Sequence, residues 1–300
     1  MSQGHGHHAP NYDRAFAIGV TLNLLFVLVE AGFGTVTRSL ALIADAGHNF
    51  SDVISLLLAW GASVLARKAA TEKRTYGFRR ATIMASFVSA ILLLVALGAI
   101  TWEAVGRLLH PAPVEGSAVI IIAAIGVVIN TITAVLFFSG QKDDLNVRGA
   151  FLHMAADAGV SLGVVVAGIA IALKGWFWVD PATSLAIVIV ILLGTWKLFK
   201  NSLDLNLDAV PEGVDIAGIK GYLTGLERVV RIHDLHIWAL STTESALTVH
   251  VVTTEDSFDT DQLRRLQQQL HDRFGIAHST IQVERGMAEN TCPLDKPSCT

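Results

Sequence analysis

The chain has 300 residues, of which 52% are hydrophobic and only 16% are charged. A composition this apolar excludes a wholly soluble protein, and the net charge of -4 gives no indication of a nucleic-acid partner. The length would accommodate two or three ordinary domains.

Residues 1–13 form an N-terminal tail that contains the tract Gly4-His5-Gly6-His7-His8. A short histidine-rich tract can capture metal ions loosely, and it can equally be a segment without function. The residues alone leave both interpretations open.

Six apolar runs, each of about 20 residues or more, occupy residues 14–207 and predict six transmembrane helices. The first run is too long for a removable signal peptide, and it lacks a small-residue cleavage site. The six predicted spans are Ala15–Val36, Leu40–Ala66, Ala81–Val105, Ala118–Phe138, Ala150–Leu173 and Pro181–Phe199.

The distribution of Lys and Arg between the loops predicts the orientation of the spans. The loop between the second and third spans is strongly basic, whereas the loops on the opposite side offer only Arg38, Arg107 and Lys174. This bias places both termini in the cytoplasm and makes the chain a multi-pass protein of the cell (inner) membrane. In that reducing compartment Cys292 and Cys299 are not expected to form a structural disulfide. The basic loop carries Arg67, Lys68, Lys73, Arg74, Arg79 and Arg80.

Two His-x3-Asp pairs lie inside apolar runs: His48 with Asp52 in the second span, and His153 with Asp157 in the fifth. Residues four apart share one face of a helix, and ionisable groups at this depth are costly enough to indicate function. Neither run holds an Arg or Lys that would neutralise the aspartates. Two imidazoles and two carboxylates therefore predict a tetrahedral site for a zinc-like divalent ion. Asp45, three residues before His48, is expected behind this site or at its entrance.

Two further acidic residues lie in or beside the apolar runs. Glu30 in the first span has no obvious partner in its own helix, so it either lines the cation path or makes a structural hydrogen bond near the membrane edge. Asp180 precedes Pro181, which is the order expected at a helix start, so Asp180 is predicted to cap the sixth helix.

After Leu207 the composition changes, and residues 208–286 predict a small cytoplasmic α+β domain, followed by a tail over residues 287–300. Apolar residues at helical spacing mark one helix near Ile216–Leu226 and a second near Leu263–Phe274. Three apolar segments predict strands, and the resulting order of elements is αββαβ. The strands are Val229–Leu240, Ala246–Thr253 and Ile276–Glu284.

The cytoplasmic domain is rich in histidine, which suggests a second metal site. We predict that His233, His250, His278 and Glu284 form it, because His278 and Glu284 have the same parity and should project from one face of a strand. The alternative is that most of these histidines are ordinary surface or sheet-edge residues. The remaining candidates, whose roles the sequence leaves open, are Asp234, His236, His271 and the loosely spaced Cys292 and Cys299.

Taken in order with the six spans, several motifs resemble the cation diffusion facilitator family, specifically its zinc-transporting branch and its bacterial-type members. The segments that carry the resemblance are Ala44–Asp52 (ADAGHNFSD), Arg74–Phe78 (RTYGF), Asn146–Asp157 (NVRGAFLHMAAD), Asp180–Leu185 (DPATSL) and His233–Trp238 (HDLHIW).

The resemblance implies a homodimeric, proton-coupled exporter that moves Zn²⁺ out of the cytoplasm by alternating access. It places the transport site on His48, Asp52, His153 and Asp157, and the first histidine is typical of zinc-selective members. It also implies a ferredoxin-like cytoplasmic domain that dimerises and binds regulatory zinc.

The chain departs from the family pattern in the basic loop. Arg79-Arg80-Ala81-Thr82 stands where the family usually has His-Arg-Ala-Glu, which leaves out the carboxylate. Some members bind an extra ion in this loop through Asp and His, but residues 67–80 contain neither, so we predict no metal there.

The residues indicate exchange of Zn²⁺ for protons, because imidazoles have a reference pKa of about 6.5 and metal binding requires their neutral form. Export of Cd²⁺, Co²⁺ or Ni²⁺ by the same mechanism is the alternative, since the ligand type restricts the metal without fixing it. A membrane metal sensor without transport is a further alternative. An enzyme is not expected, because four converging protein ligands leave no open coordination position for catalysis.

Overall fold

The computed structural model describes residues 13–138, 145–254 and 259–285. The histidine tract of the N-terminal tail, Cys292 and Cys299 lie outside these ranges. Six long helices come first, followed by a mixed segment with two short helices and three strands. The long helices are α1 (Asp13–Thr37), α2 (Leu40–Ala66), α3 (Ala81–Leu109), α4 (Gly116–Phe138), α5 (Leu145–Lys174) and α6 (Val179–Asn206). The later elements are α7 (Ile216–Thr224), β1 (Val229–Ala239), β2 (Ser245–Thr253), α8 (Thr260–Phe274) and β3 (Ile276–Arg285).

Each of the six apolar runs lies within, or nearly within, one of the long helices. Among the described residues, four helices, α3 to α6, are long and apolar enough to cross a membrane. Large apolar side chains remain on their outer surface, among them Trp102 and Leu193. An apolar exterior is unfavourable in water and is expected where the surrounding solvent is lipid. The chain is therefore a multi-pass membrane protein.

The chain divides into two compact units. The first comprises Met1–Leu57 with Ser89–Trp196, and the second comprises Leu58–Val88 with Lys197–Thr300. In the first unit, α4 packs against α5 and α1 packs against α4.

Small residues allow α4 and α5 to approach closely. A Cβ atom added at Gly168 would lie 2.8 Å from Cγ1 of Ile120, and one added at Gly116 would lie 2.9 Å from the carbonyl oxygen of Gly168. Because helices in lipid associate mainly through van der Waals packing, such glycines bring the backbones together. The core of this unit includes Phe26, Leu42, Leu97, Val119 and Val164.

The prediction that Asp180 caps its own helix, α6, is wrong. It lies in the first turn of α6 and is fully buried, but its carboxylate accepts hydrogen bonds from the Ser39 hydroxyl and, at 2.7 Å, from the Leu40 backbone N–H. It therefore serves the N-terminus of α2 rather than that of its own helix. The Asp-Pro order marks a helix start, but it does not reveal which helix end the carboxylate reaches.

The cytoplasmic domain follows the predicted order αββαβ. Its sheet has the order β1-β2-β3, in which β1 and β2 are antiparallel and β2 and β3 are parallel. A parallel pair needs a crossover connection, and α8 supplies it. Side chains of α7, α8 and the sheet form one core, which includes Ile219, Leu223, Leu247, Val249 and Leu270.

A bulge interrupts the pairing of β1 with β2 between His233 and His236. Asp234 lies at this irregularity with a positive φ of 51°, a conformation that Asp tolerates better than most residues. A bulge redirects side chains, and here it affects three residues that can bind metal.

Candidate metal sites

His48 and Asp52 on α2 and His153 and Asp157 on α5 form a ring in which nitrogen and oxygen donors alternate. The Nε2 atom of His48 lies 3.7 Å from Oδ2 of Asp52 and 3.6 Å from Oδ1 of Asp157. The Nε2 atom of His153 lies 3.1 Å from Oδ2 of Asp52 and 3.6 Å from Oδ2 of Asp157. Each helix contributes one His-x3-Asp pair, so the ring exists because α2 and α5 present these faces to each other.

The sides of this ring suit a zinc-sized ion. Ligand distances of about 2.0–2.2 Å in a tetrahedral zinc site separate neighbouring donor atoms by about 3.3–3.6 Å. The four nitrogen–oxygen distances, from 3.1 to 3.7 Å, bracket this range. The nitrogen–oxygen sides of the ring are therefore close to those of a zinc site, and the four side chains would have to draw closer together to bind one ion.

In the part of the chain that the structure describes, neither Lys nor Arg pairs with the ring carboxylates. In the described ranges, the ion pairs of Asp52 and Asp157 involve histidines alone. Oδ2 of Asp52 and Oδ2 of Asp157, which both face the ring, are buried without a hydrogen bond. Buried polar atoms are normally satisfied, so such orphan atoms in one place indicate a missing ligand.

The ring is accessible from one side. The exposed fraction of the side chain is 44% for His153 and 31% for Asp52, but 17% for His48 and 3% for Asp157. The accessible pair consists of the later residue on α2 and the earlier residue on α5. Because His48 faces Asp157 and Asp52 faces His153, α2 and α5 run in opposite directions here, and Asp52 and His153 lie toward the same end of the two helices.

Asp45, expected behind the ring or at its entrance, lies in the buried interior of the helices. It is fully buried one turn from His48, and its Oδ2 accepts a hydrogen bond of 2.9 Å from the Ser161 hydroxyl. Glu30 is also fully buried, close to Asp45 and Asn49. Among the described residues, neither oxygen of its carboxylate has a hydrogen-bond partner. The sequence did not single out Ser161 as a polar partner, although its position four residues after Asp157 places it on the same face of α5.

The cytoplasmic domain brings together His233, His250 and Glu284. Oε2 of Glu284 lies 3.0 Å from Nε2 of His233, and its Oε1 lies 2.8 Å from Nδ1 of His250. Each residue offers a ligand atom within 4.8 Å of the others, and both histidines are buried. Nδ1 of His233 is buried without a hydrogen bond. Two imidazoles and a carboxylate suit zinc and related ions, so this group can hold a metal.

The bulge in β1 extends this cluster. Asp234 lies 3.7 Å from Nε2 of His250 and 2.9 Å from Nε2 of His236. On the other side, the Gln282 amide donates a hydrogen bond of 3.0 Å to Glu284. Asp234 and His236 thus belong to the same surroundings, which parity along an ideal strand could not predict because the bulge shifts it.

His278 does not join this cluster, which corrects the prediction for that residue. It shares strand parity with Glu284, but six residues of strand separate the two by about 20 Å. The His278 ring instead packs edge-on against Tyr76, with centroids 5.7 Å apart. His271 also lies elsewhere, exposed on α8 beside Asp272, and its hydrogen bond of 3.0 Å lowers the pKa of that carboxyl.

Comparison with known proteins finds two matching family models. One, described as the cation efflux transmembrane domain, matches residues 16–205, and the other, described as the cation efflux protein cytoplasmic domain, matches residues 211–286.

Curated relatives match over nearly their full length. The chain is 38% identical to the metal cation efflux system protein CzcD of Cupriavidus metallidurans, over 96% of this chain and 92% of that protein. It is 35% identical to a cadmium, cobalt and zinc/H(+)-K(+) antiporter of Bacillus subtilis, over 94% of this chain and 92% of that protein. It is also 35% identical to the zinc transporter ZitB of Escherichia coli, over 95% and 93%. These relatives are named as transporters, not as enzymes.

Among solved structures, the chain is similar to the metal-bound C-terminal domain of the CzcD transporter from Cupriavidus metallidurans. That match has 41% sequence identity and a TM-score of 0.22, and it covers 24% of this chain and 99% of the other.

Proposed function

The chain belongs to the cation efflux family, and we propose that it exports Zn²⁺ from the cytoplasm in exchange for protons. The ring of His48, Asp52, His153 and Asp157 binds the transported ion. The observation that carries this proposal is the ring itself: two carboxylates and two imidazoles converge inside membrane-type helices, and among the described residues no Lys or Arg pairs with the carboxylates. A divalent cation balances the two carboxylates while the imidazoles stay neutral.

The unequal exposure of the ring supports an inward-facing arrangement. If the basic loop after α2 is cytoplasmic, then Asp52 and His153 lie on the cytoplasmic side of the ring, and His48 and Asp157 lie on the outer side. The first pair is the more exposed, and Asp157 is almost fully buried. An ion from the cytoplasm would meet Asp52 and His153 first. Alternating access then requires a second arrangement that opens the His48 and Asp157 side.

Proton coupling follows from the ligand chemistry. Imidazoles change charge close to neutral pH, and a metal binds their neutral form, so Zn²⁺ and protons compete for His48 and His153. On an acidic outer side, protonation would expel the ion. A relative named as a cadmium, cobalt and zinc/H(+)-K(+) antiporter supports this exchange.

Export of Cd²⁺ or Co²⁺ by the same route is the second candidate, and the name of that relative favours it. Ni²⁺ also accepts imidazole and carboxylate ligands. Zinc is preferred for this chain because relatives named ZitB are zinc transporters and because imidazole and carboxylate ligands suit zinc.

The cytoplasmic domain, in this proposal, joins two copies of the chain into a homodimer and binds zinc through His233, His250 and Glu284. Cytosolic zinc at this cluster would favour one transport state over the other, since a ligand shifts an equilibrium by its differential affinity. A sensor without transport would need this cluster but not the ring in the helices.

We further propose that all six long helices cross the inner membrane with both termini in the cytoplasm. The αββαβ domain would be ferredoxin-like without the first strand of the full βαββαβ pattern. The lipid bilayer, protons and divalent cations are then the partners of the chain, together with its second copy.

The test is Zn²⁺ uptake into proteoliposomes with an imposed pH gradient. Asp157→Asn should reduce flux to background, because it removes a ring carboxylate while keeping its volume. Glu103→Gln should transport normally, since it removes an exposed carboxylate on α3 that pairs with Arg107.

Three results would count against the proposal. Flux that is unchanged after the gradient is collapsed would contradict proton coupling. Normal flux by Asp157→Asn would contradict the site. Absence of flux in the unsubstituted protein, with zinc still bound to the cytoplasmic cluster, would favour the sensor.

A further inference from the structure

A polar cavity of about 670 Å³ lies in the second unit, beside the last turn of α2. The loop between α2 and α3 and the turn between β1 and β2 form its walls. Three strongly basic residues line it: Arg67, Lys68 and Arg79. A volume of this size is ordinary for a small-ligand site.

The charge of this cavity is unbalanced. The Glu244 carboxylate also lines it, but an ion pair of 2.8 Å joins Glu244 to Arg79. Arg67 and Lys68 have no carboxylate within ion-pair distance in the part of the chain that the structure describes. Two adjacent cations without a counter-charge repel each other, and an anion in the cavity would relieve this repulsion.

Hydroxyl groups complement the cations. Ser241 and Thr243 lie on one wall and Tyr76 on another, where its ring packs edge-on against His278 at 5.7 Å. Guanidinium, ammonium and hydroxyl donors together form the set that binds phosphate oxygens.

The walls are held in place before any ligand binds. In the loop after α2, Thr71 and Arg74 exchange backbone hydrogen bonds of 3.0 Å. Gly77, with φ of 67°, folds back so closely that an added Cβ atom would lie 3.1 Å from the carbonyl oxygen of Lys68. The backbone N–H of Thr242 donates a hydrogen bond of 3.1 Å to the Thr82 hydroxyl. A fixed arrangement of donors reduces the ordering cost of binding.

We propose that this cavity binds a phosphate group, and specifically the headgroup of an anionic phospholipid in the cytoplasmic leaflet. The proposal rests on the proposed membrane orientation, which places the end of α2 at the level of the cytoplasmic headgroups. Anionic lipids give that surface a negative potential and attract basic segments next to a span. Binding there would attach the loop between α2 and α3 to the membrane surface.

The experiment titrates the full-length protein in detergent with dioctanoyl phosphatidylglycerol and counts bound lipids by native mass spectrometry. The double variant R67Q/K68Q should bind this lipid about tenfold more weakly or worse, because two charge-assisted contacts are lost. The matched control R264Q/R265Q removes two adjacent arginines from α8 and should bind as the unsubstituted protein does. Dioctanoyl phosphatidylcholine should bind weakly to all three proteins.

Unchanged phosphatidylglycerol binding by R67Q/K68Q, or an equal loss in the control, would overturn the proposal. Displacement of the lipid by inorganic phosphate at equal concentration would overturn the lipid assignment and identify a soluble phosphate site. The measurement does not involve zinc flux, so a failure of the proposed transport function would leave its outcome unaffected.

Discussion

His48 contributes one of the two imidazole nitrogens of the ring that we propose binds the transported ion. Its Nε2 faces both ring aspartates, and imidazole nitrogen suits zinc, whereas an all-carboxylate environment suits harder ions such as Mn²⁺. Replacing His48 by Asp therefore tests how much the type of donor atom at this position determines which metal the ring binds.

For His48→Asp we expect the ratio of zinc affinity to Mn²⁺ affinity to fall by about tenfold, which corresponds to about 1.4 kcal/mol. Competition between the two metals for the purified protein measures this ratio. The variant His271→Asp, at an exposed residue of α8, is the control and should leave the ratio unchanged. A ratio preserved in His48→Asp would mean that His48 does not bind the ion.

Ser161 connects the ring helix α5 to Asp45. Its hydroxyl donates the 2.9 Å hydrogen bond that Asp45 accepts, and both residues are fully buried. Ser161→Ala should lower the free energy of unfolding by about 1–3 kcal/mol, because a buried carboxylate loses its donor.

Ser202→Ala is the matched control for this change. Ser202 is buried too, but its hydroxyl bonds to the Leu198 carbonyl of its own helix, at 2.8 Å, and that carbonyl keeps its helical partner. We expect a cost below about 1 kcal/mol for it. Thermal unfolding in detergent compares the two variants, and equal losses would contradict the role of Ser161.

At the scale of helices, the close contact between α4 and α5 depends on glycines, which have no side chain. Gly168→Ala would place a Cβ atom 2.8 Å from Ile120 Cγ1 and 3.1 Å from the Ile120 backbone nitrogen. The expected cost is about 1–3 kcal/mol, because neither neighbour can move without disturbing α4.

Gly163→Ala provides the control in the same helix. An added Cβ at Gly163 meets no atom within 4 Å, so alanine should be neutral or stabilise α5 by about 0.5–1 kcal/mol. The unfolding temperature should therefore fall for Gly168→Ala, and it should stay the same or rise for Gly163→Ala. A loss of the same size in both would show that glycine at position 168 is not required for packing.

The positions of these elements follow from sequence more readily than their contacts do. Runs of apolar residues located all six long helices, and mixed periodicity located αββαβ. His48 and Asp52 share a helix face because of their spacing, and the sequence predicted this. Two contacts were not predicted. Asp180 accepts a hydrogen bond from the start of α2, which is distant in the sequence. His278 packs against Tyr76, because its position along β3 separates it from Glu284.

The bulge in β1 is the third feature that the sequence did not predict. Alternation assumes a regular strand, but the extra residue near Asp234 shifts the parity and brings Asp234 close to His250. The sequence offered one indication of this bulge: Asp234 lies within the strand, and Asp tolerates the positive φ that a bulge can require.

At the scale of the whole molecule, potential metal ligands converge at two places among the described residues, and we propose different roles for the two places. The ring carries the ion across, whereas the cytoplasmic cluster responds to the concentration of zinc. Separate substitution distinguishes these roles, because a regulatory site changes the response to zinc without abolishing transport.

The double variant H233A/H250A should retain its maximal flux while the free zinc concentration needed for half-maximal flux rises. Removing two of the three ligands leaves Glu284 unable to hold zinc in the cluster. Flux in proteoliposomes, measured against buffered free zinc, gives both quantities. His271→Ala should behave as the unsubstituted protein, and an unchanged zinc response in H233A/H250A would contradict regulation by this cluster.

The central claim is that two histidines and two aspartates from α2 and α5 hold the transported ion. X-ray absorption at the zinc edge, on the full-length H233A/H250A protein loaded with one zinc ion, tests this claim most directly. We predict two nitrogen and two oxygen ligands at about 2.0–2.2 Å, and loss of the bound zinc when Asp157→Asn is added. Sulfur coordination, or zinc that remains bound after the loss of Asp157, would contradict the account.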